Sequence, residues 1–264
     1  MKRNIRSLQK MKTKGEKITA LTAYETLFAG YLDMCEVDFI LVGDSAGMVF
    51  AGHETTIPVS MEDMIYHSRS VRRAVSNALL VVDMPFMSYQ VNTEDALRNA
   101  GILMKKGGAE AVKMEGGIRI LPQIKACVTA GIPVMGHLGM TPQSVNQFGG
   151  FRTQGKSSED AEKLKNDALA VQDAGAFAVV LEKIPSELAG EITKLLRIPT
   201  IGIGAGKDTD GQILVTQDML GMYEKFKPRF VRRYAHLAKE IKKAVGTYVE
   251  DVKKGRFPDQ KESF

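Results

Sequence analysis

Residues 41–49 read LVGDSAGMV. The apolar run that begins at Val37 stops at Gly43, an acid and a hydroxyl follow, and small residues take over. A buried strand that ends on a carboxylate and opens into a helix pattern is the signature of one β/α unit. The same punctuation recurs along the chain. Further β-rich runs occupy 18–23, 78–83, 110–116, 132–139, 177–182, 198–204 and, most weakly, 212–215. Between them lie helix-period segments such as SMEDMIYHSRSVRRAV, TEDALRNAGILMKKG and SEDAEKLKNDALAVQDAGA. Ser60 and Thr93 are read as N-caps, and Gly107 and Gly175 as helix stops.

Near-continuous apolar strands separated by helices imply a parallel sheet covered by those helices. Eight such units in a chain of roughly 250 residues imply closure into a (β/α)8 TIM barrel. The expected organisation is a single domain over residues 1–264 with a basic C-terminal helical tail. An open doubly wound sheet is the rival, but its GxGxxG fingerprint is absent early in the chain, and GIGAG at 202–206 follows the seventh run.

Composition narrows the function classes. With 264 residues, 44% hydrophobic and 25% charged, the chain can bury a sizeable core. No apolar run approaches the length of a membrane span, and the basic N-terminus lacks the apolar core of a secretory signal, so no membrane association and a cytoplasmic location are expected. Cys35 and Cys127 have no CxxC partner and read as small buried residues. The net charge of +5 raises nucleic acid as a partner. Many basic residues, however, fall between Lys225 and Arg256, interleaved with Glu240, Glu250 and Asp251, which reads as a solvated amphipathic helix. There is no Trp and no RNA-binding signature, so no nucleic-acid partner is expected.

Chemistry in such a barrel is assembled from the C-terminal ends of the strands. Four runs end on acids there: Asp44, Asp83, Glu115 and Glu182. One acid at a strand end usually forms a turn or caps the next helix. Four at one recurrent position would repel one another unless a positive group sat among them. All-oxygen ligands with no Cys and one nearby His point to a hard divalent cation, of which Mg²⁺ leaves room for water and substrate. Lys113 shares a strand face with Glu115, while Val112 and Met114 face the helices. An internal Lys113–Glu115 ion pair would account for the lysine alone; beside the other acids, contact with a substrate anion is favoured. Ser45 offers a hydroxyl and a backbone N–H to a substrate oxygen, or simply opens the loop. His137 reaches the same rim, as a structural residue or a pocket residue. The long polar stretch 138–158 is a candidate lid. GIGAGKDTDGQ could bind phosphate through backbone N–H groups or serve close packing.

The blocks LVGDSAGMVFAGHETTIPVSMEDMIYHSRSVRRA, DMPFMSY, AVKMEGG, GHLGMTPQSVNQFGGFRTQGK, VLEKIPSELA and GIGAGKDTDGQILVTQDMLG together resemble the ketopantoate hydroxymethyltransferase family over nearly the whole chain. Ala46 departs from the Leu that commonly follows GDS in that family, and the extreme C-terminus carries no diagnostic motif. The resemblance implies a cytoplasmic (β/α)8 barrel enzyme, a homodecamer. Such an enzyme transfers a one-carbon unit from 5,10-methylenetetrahydrofolate to 3-methyl-2-oxobutanoate, giving 2-dehydropantoate and tetrahydrofolate in the first committed step of pantothenate and coenzyme A synthesis. By motif match it implies Asp44, Asp83 and Glu115 as Mg²⁺ ligands, Ser45 and Lys113 together with Asp44 and Asp83 as substrate-binding residues, and Glu182 as proton acceptor. The expected route is a cation-stabilised enolate, formed when Glu182 removes the C3 proton of the 2-oxo acid. The competing enzymatic expectation is a Mg²⁺-dependent lyase or mutase acting on a phosphoenolpyruvate-like or 2-oxo acid substrate.

Overall fold

The computed structural model describes residues 2–224 and 228–264, in two compact units, 1–215 and 216–264. Eight strands build the first unit: β1 (Ile18–Thr22), β2 (Phe39–Val42), β3 (Leu79–Asp83), β4 (Ala111–Glu115), β5 (Val134–Gly139), β6 (Ala178–Glu182), β7 (Thr200–Ile203) and β8 (Gly211–Leu214). Each pairs in parallel with the next, and β8 pairs with β1, so the sheet closes. The expected (β/α)8 barrel is therefore present, and every strand falls inside the run read for it or within one residue of it.

Strand periodicity divides the apolar residues into two cores. Val42, Val82, Val112, Met114, Val179 and Leu181 point outward and pack with helix residues such as Met64, Ile124 and Ile192. Phe39, Leu41, Leu79, Val81, Ala111, Met135 and Val180 point inward and fill the barrel. Burial on both sides explains why β2, β3 and β4 are enclosed along their whole length and carry almost unbroken apolar sequence.

The helix Ile5–Lys14 closes the end of the barrel opposite the acids. Leu8 and Met11 join the interior cluster. Charged neighbours along this segment hold residues that stand just before the strands: Arg3 Nε lies 2.8 Å from Asp38 Oδ1, Lys12 Nζ lies 2.7 Å from Asp210 Oδ2, and Lys2 pairs with Glu110. Leu8 is fully buried, and a side chain so placed is worth about 2 kcal/mol of transfer free energy. Plugging one mouth leaves the other for chemistry.

Local signals held with small shifts. Ser60 caps Met61–Arg72 in a reciprocal box with Asp63. Thr93 is instead the first helical residue of Thr93–Ile102, because the extended backbone of Asn92 lets its side chain accept from Asp95 N at 2.7 Å. The stop expected at Gly107 falls on Gly108, whose left-handed backbone terminates the turn Leu103–Gly107. Cys127 is buried, but Cys35 is exposed, since it ends the helix Thr26–Met34 on its solvent side; both are free thiols. Of the glycines after β7, Gly206 serves close packing: a Cβ there would stand 2.4 Å from Ser186 Cβ.

In the second unit the basic stretch read from Lys225 begins outside the described residues. Within its described part, Leu237–Lys253 forms a helix that buries no side chain. Arg256 and Lys254 pair with Glu250, at 3.0 and 2.6 Å, and Arg256 with Asp251 at 2.8 Å. Among the described residues no helix is long and apolar enough to cross a membrane.

Candidate active site

Parallel register aligns the ends of β3 to β6. Asp83 pairs with Lys113, Glu115 with His137, and Gly139 with Glu182. Paired residues on neighbouring parallel strands lie about 4.8 Å apart and point to the same side. A polar rim therefore follows from backbone pairing before any side-chain preference acts.

All seven residues singled out from the sequence occur in this rim. Lys113 Nζ lies 2.8 Å from Asp83 Oδ1 and 3.8 Å from Glu115 Oε1, so its nearer carboxylate is on the neighbouring strand and not on its own. His137 Nδ1 stands 3.2 Å from both Glu115 Oε1 and Lys113 Nζ, and its Nε2 stands 3.3 Å from Glu182 Oε2. Asp44 N donates to Asp83 Oδ2 at 3.1 Å. Ser45, half-buried at the start of the short helix Ala46–Val49, shares a 2.8 Å hydrogen bond with the Tyr24 hydroxyl. Gly43 leaves room for this arrangement: a Cβ there would stand 2.7 Å from Ser45 Oγ, which would have to turn away.

Burial and like charge set the electrostatics. Burial first, then the charges of Asp83 and Glu115, push Asp44 well above the usual carboxylate range. Burial also raises Asp83, against the opposing pull of Lys113. Glu115 ends below its ordinary value: burial raises it, but His137, Lys113 and the N–H of Gln143 outweigh that. Lys113 stays charged, since Asp83, Glu115 and Asp44 together overcome its burial. Burial and the Lys113 charge depress His137, yet Glu115 and Glu182 bring it up to about 9.

The donor chemistry suits a hard cation. Asp83 Oδ1 and Glu115 Oε1 are buried, and what faces them is a cationic group, Lys113 Nζ at 2.8 Å and His137 Nδ1 at 3.2 Å, so a cation entering the rim would compete with these two groups for the same oxygens. Four carboxylates face two cationic groups. Asp44, Asp83 and Glu115 supply an all-oxygen set of the kind Mg²⁺ takes together with waters. Among the described residues no three His, Cys, Asp or Glu side chains already converge on one point. Binding by these three therefore requires side-chain rotation, with the remaining positions left to water and substrate.

Three participants in the rim carry no sequence signal. Gln143, 5% exposed, lies in the turn Pro142–Ser144 after β5 and reaches Asp44 and Glu115. Tyr89, fully buried, contacts the Glu115 backbone. Tyr24 holds Ser45, and its carbonyl is in turn 2.7 Å from His67 Nδ1. Each is a polar residue in a connecting segment with no periodicity to mark it. Inclusion of Gln143 and Tyr89 in the family-like blocks was the one available hint.

The family profile described as ketopantoate hydroxymethyltransferase matches residues 2–260. The chain belongs to that family. The 3-methyl-2-oxobutanoate hydroxymethyltransferase of Geobacter sulfurreducens is 56% identical over 262 residues, which span 99% of this chain and 98% of that protein. The protein of the same name from Clostridium botulinum is 53% identical over 264 residues, 100% of this chain and 96% of its own. Family membership makes the chain a transferase. Two solved structures share the fold: a phosphonopyruvate hydrolase in complex with oxalate and Mg²⁺ (TM-score 0.63, 15% identity, 98% of this chain and 92% of that one), and a 2,3-dimethylmalate lyase of the PEP mutase/isocitrate lyase superfamily (TM-score 0.61, 15% identity, 100% and 89%). At that identity they speak to architecture alone.

Proposed function

We propose that the protein transfers a one-carbon unit from 5,10-methylenetetrahydrofolate to 3-methyl-2-oxobutanoate, giving 2-dehydropantoate and tetrahydrofolate, with Asp44, Asp83 and Glu115 as ligands of a Mg²⁺ ion and Glu182 as the base. The strongest support is a division of labour within the acidic rim. The side chains of Asp83, Glu115 and Lys113 are 3–4% exposed, whereas that of Glu182 is 17% exposed and is separated from Glu115 by the ring of His137. One acid is thus left accessible to a substrate that the others would hold.

A divalent cation, when bound, draws electron density from the keto group of a 2-oxo acid and so acidifies its C3–H bond. The protein's own groups supply the rest. Lys113, kept charged by its neighbours, binds the substrate carboxylate, and Ser45 offers its hydroxyl to a substrate oxygen. Glu182 accepts the C3 proton. The carbon so freed bonds to the methylene carbon while that carbon's two bonds to the folate nitrogens break in turn. Water supplies the hydroxyl oxygen of 2-dehydropantoate, the folate nitrogens take up one proton from water and the one removed from C3, and orientation by the rim makes the encounter effectively unimolecular.

Turnover of 3-methyl-2-oxobutanoate with 5,10-methylenetetrahydrofolate tests substrate, donor and metal together. 2-Dehydropantoate is expected only when both the folate and Mg²⁺ are present. Consumption of the 2-oxo acid without folate would instead assign the site to a lyase or mutase, and unaltered turnover after chelation would remove the cation.

A further inference from the structure

Tyr24 stands two residues beyond β1, at the mouth of the barrel, and its hydroxyl meets that of Ser45 at 2.8 Å. Tyr24 is 1% exposed, whereas Ser45 is half-buried. The tyrosine backbone is pinned on both sides. Its carbonyl lies 2.7 Å from His67 Nδ1 and can only accept, so that nitrogen carries the proton. The carboxylate of the next residue, Glu25, accepts from Leu27 N at 2.6 Å and from Phe28 N at 2.7 Å and caps the helix Thr26–Met34. The place of the phenol is therefore set by the fold and not by Ser45.

Ser45 does not do what its place in the chain suggests. A serine at the start of a helix ordinarily turns its oxygen back onto a backbone N–H of the first turn, which takes an extended backbone. Ser45, at the start of Ala46–Val49, has helical angles (φ −53°, ψ −16°) and makes no such bond. Its hydroxyl lies against Tyr24 instead, in space that a Cβ on Gly43, 2.7 Å from Ser45 Oγ, would close. Two hydroxyls share one hydrogen here, so direction matters. Burial raises Tyr24 above its ordinary 10.0, with the charges of Asp83 and Asp44 acting in the same sense, and the phenol keeps its proton. Thr22 is the other hydroxyl bonded to the phenol. With Thr22 donating to the phenol oxygen, the phenol proton goes to Ser45 Oγ, and the proton of Ser45 is left for a group in the mouth. The reverse direction would spend the serine proton on Tyr24 and present only lone pairs to a 2-oxo acid, whose carboxylate and keto oxygens are acceptors.

Resting on the contact between Ser45 and a substrate oxygen proposed above, we infer that Tyr24 is a positioning residue: its hydroxyl donates to Ser45 Oγ and so aims the serine O–H into the mouth of the barrel, at an acceptor oxygen of the 2-oxo acid. Tyr24 touches neither the substrate nor the reacting atoms in this role. It acts in two ways. It holds Ser45 in one rotamer before the substrate arrives, so that less freedom is lost on binding. A hydroxyl that accepts a hydrogen bond is also a stronger donor in its turn. Neither effect depends on how the neighbouring carboxylates arrange themselves.

The test follows exchange of the C3 proton of 3-methyl-2-oxobutanoate with deuterated water, by proton NMR in the presence of Mg²⁺, for full-length Y24F, S45A and the double variant. Y24F keeps the ring and loses the donor, and kcat/KM for exchange should fall about 3–10-fold, the worth of one neutral hydrogen bond. S45A should lower it at least as far. In the S45A background Y24F should change the rate by less than about twofold, because the group it aims is gone. A merely structural tyrosine would cost the same factor in both backgrounds, and that result overturns the inference. Y24F with the unmodified rate overturns it too. G43A reaches the same point by another route: its Cβ displaces Ser45 Oγ, so exchange should drop when Ser45 is present and stay unchanged in the S45A background. Should Y24F fail to fold, G43A exchanging as fast as the unmodified protein overturns the inference. An unmodified rate in S45A removes Ser45 from the proposed function and the inference with it. A slowed S45A beside an unaffected Y24F leaves that function standing and overturns the role of the tyrosine alone.

Discussion

His137 Nε2 lies 3.3 Å from Glu182 Oε2, which couples the accessible acid of the rim to its buried part. The imidazole is 3% exposed and has Glu115 at its other nitrogen. It thus bridges Glu115 and Glu182.

Protonated His137 stabilises the fold, with a defined pH window. Its value of about 9 lies above the ordinary 6.5. A group whose folded value is raised stabilises fully below the unfolded value and loses that contribution as pH rises through the folded one. Urea unfolding between pH 6.5 and 9.5 should therefore show a decline in stability that is steeper for the unmodified protein than for H137Q. Parallel declines would remove His137 as the source.

Asp33 provides the opposite case, remote from the rim. Its oxygens accept from the backbone N–H groups of Ser76 (3.0 Å), Asn77 (2.9 Å) and Ala78 (2.7 Å), tying the segment before β3 to the helix Thr26–Met34. Burial raises its carboxyl, but these donors outweigh it and hold it below the ordinary value of 3.8. A lowered folded value gives stability that is present above about pH 4 and is lost as pH falls through the folded value. D33N should cost about 1–3 kcal/mol at pH 7, and the deficit should shrink on acidification toward pH 3. A deficit equal at both pH values would contradict the role of the charge.

Gly139 keeps β5 and β6 close where Glu182 emerges. Its φ is +91°, and a Cβ there would stand 2.3 Å from the Glu182 carbonyl oxygen, which accepts from Met140 N at 2.8 Å. Neither the conformation nor the space suits a side chain. G139A should lower stability by about 1–3 kcal/mol and lower turnover together with it, by displacing Glu182. A variant of unchanged melting temperature and activity would show that the strand ends are more yielding than these distances imply.

Much of this architecture could be read before the fold was seen, because its causes are local. Strands of a closed parallel sheet are buried on both faces, so β2 is wholly apolar and β3 is apolar up to Asp83, and Lys113 stands out within AVKME because an inward lysine needs a reason. Acids at strand ends share a position for a topological reason. What stayed hidden depends on contacts remote in sequence: Gln143 meets Asp44 across 99 positions. The preference of Lys113 for Asp83 over Glu115 was hidden too, since strand register alone decides it. At Thr93 the misplacement by one residue reflects two adjacent residues that are both able to cap, and the backbone of Asn92 settles which does.

The division of labour between Glu182 and the buried acids is tested most directly by exchange of the C3 proton of 3-methyl-2-oxobutanoate with deuterated water, followed by proton NMR in the presence of Mg²⁺ and without folate. E182Q should bind the 2-oxo acid nearly as tightly as the unmodified protein and lose exchange by about two to four orders of magnitude, the usual contribution of a positioned general base. Exchange continuing at the unmodified rate in E182Q would contradict the assignment of Glu182 as the base.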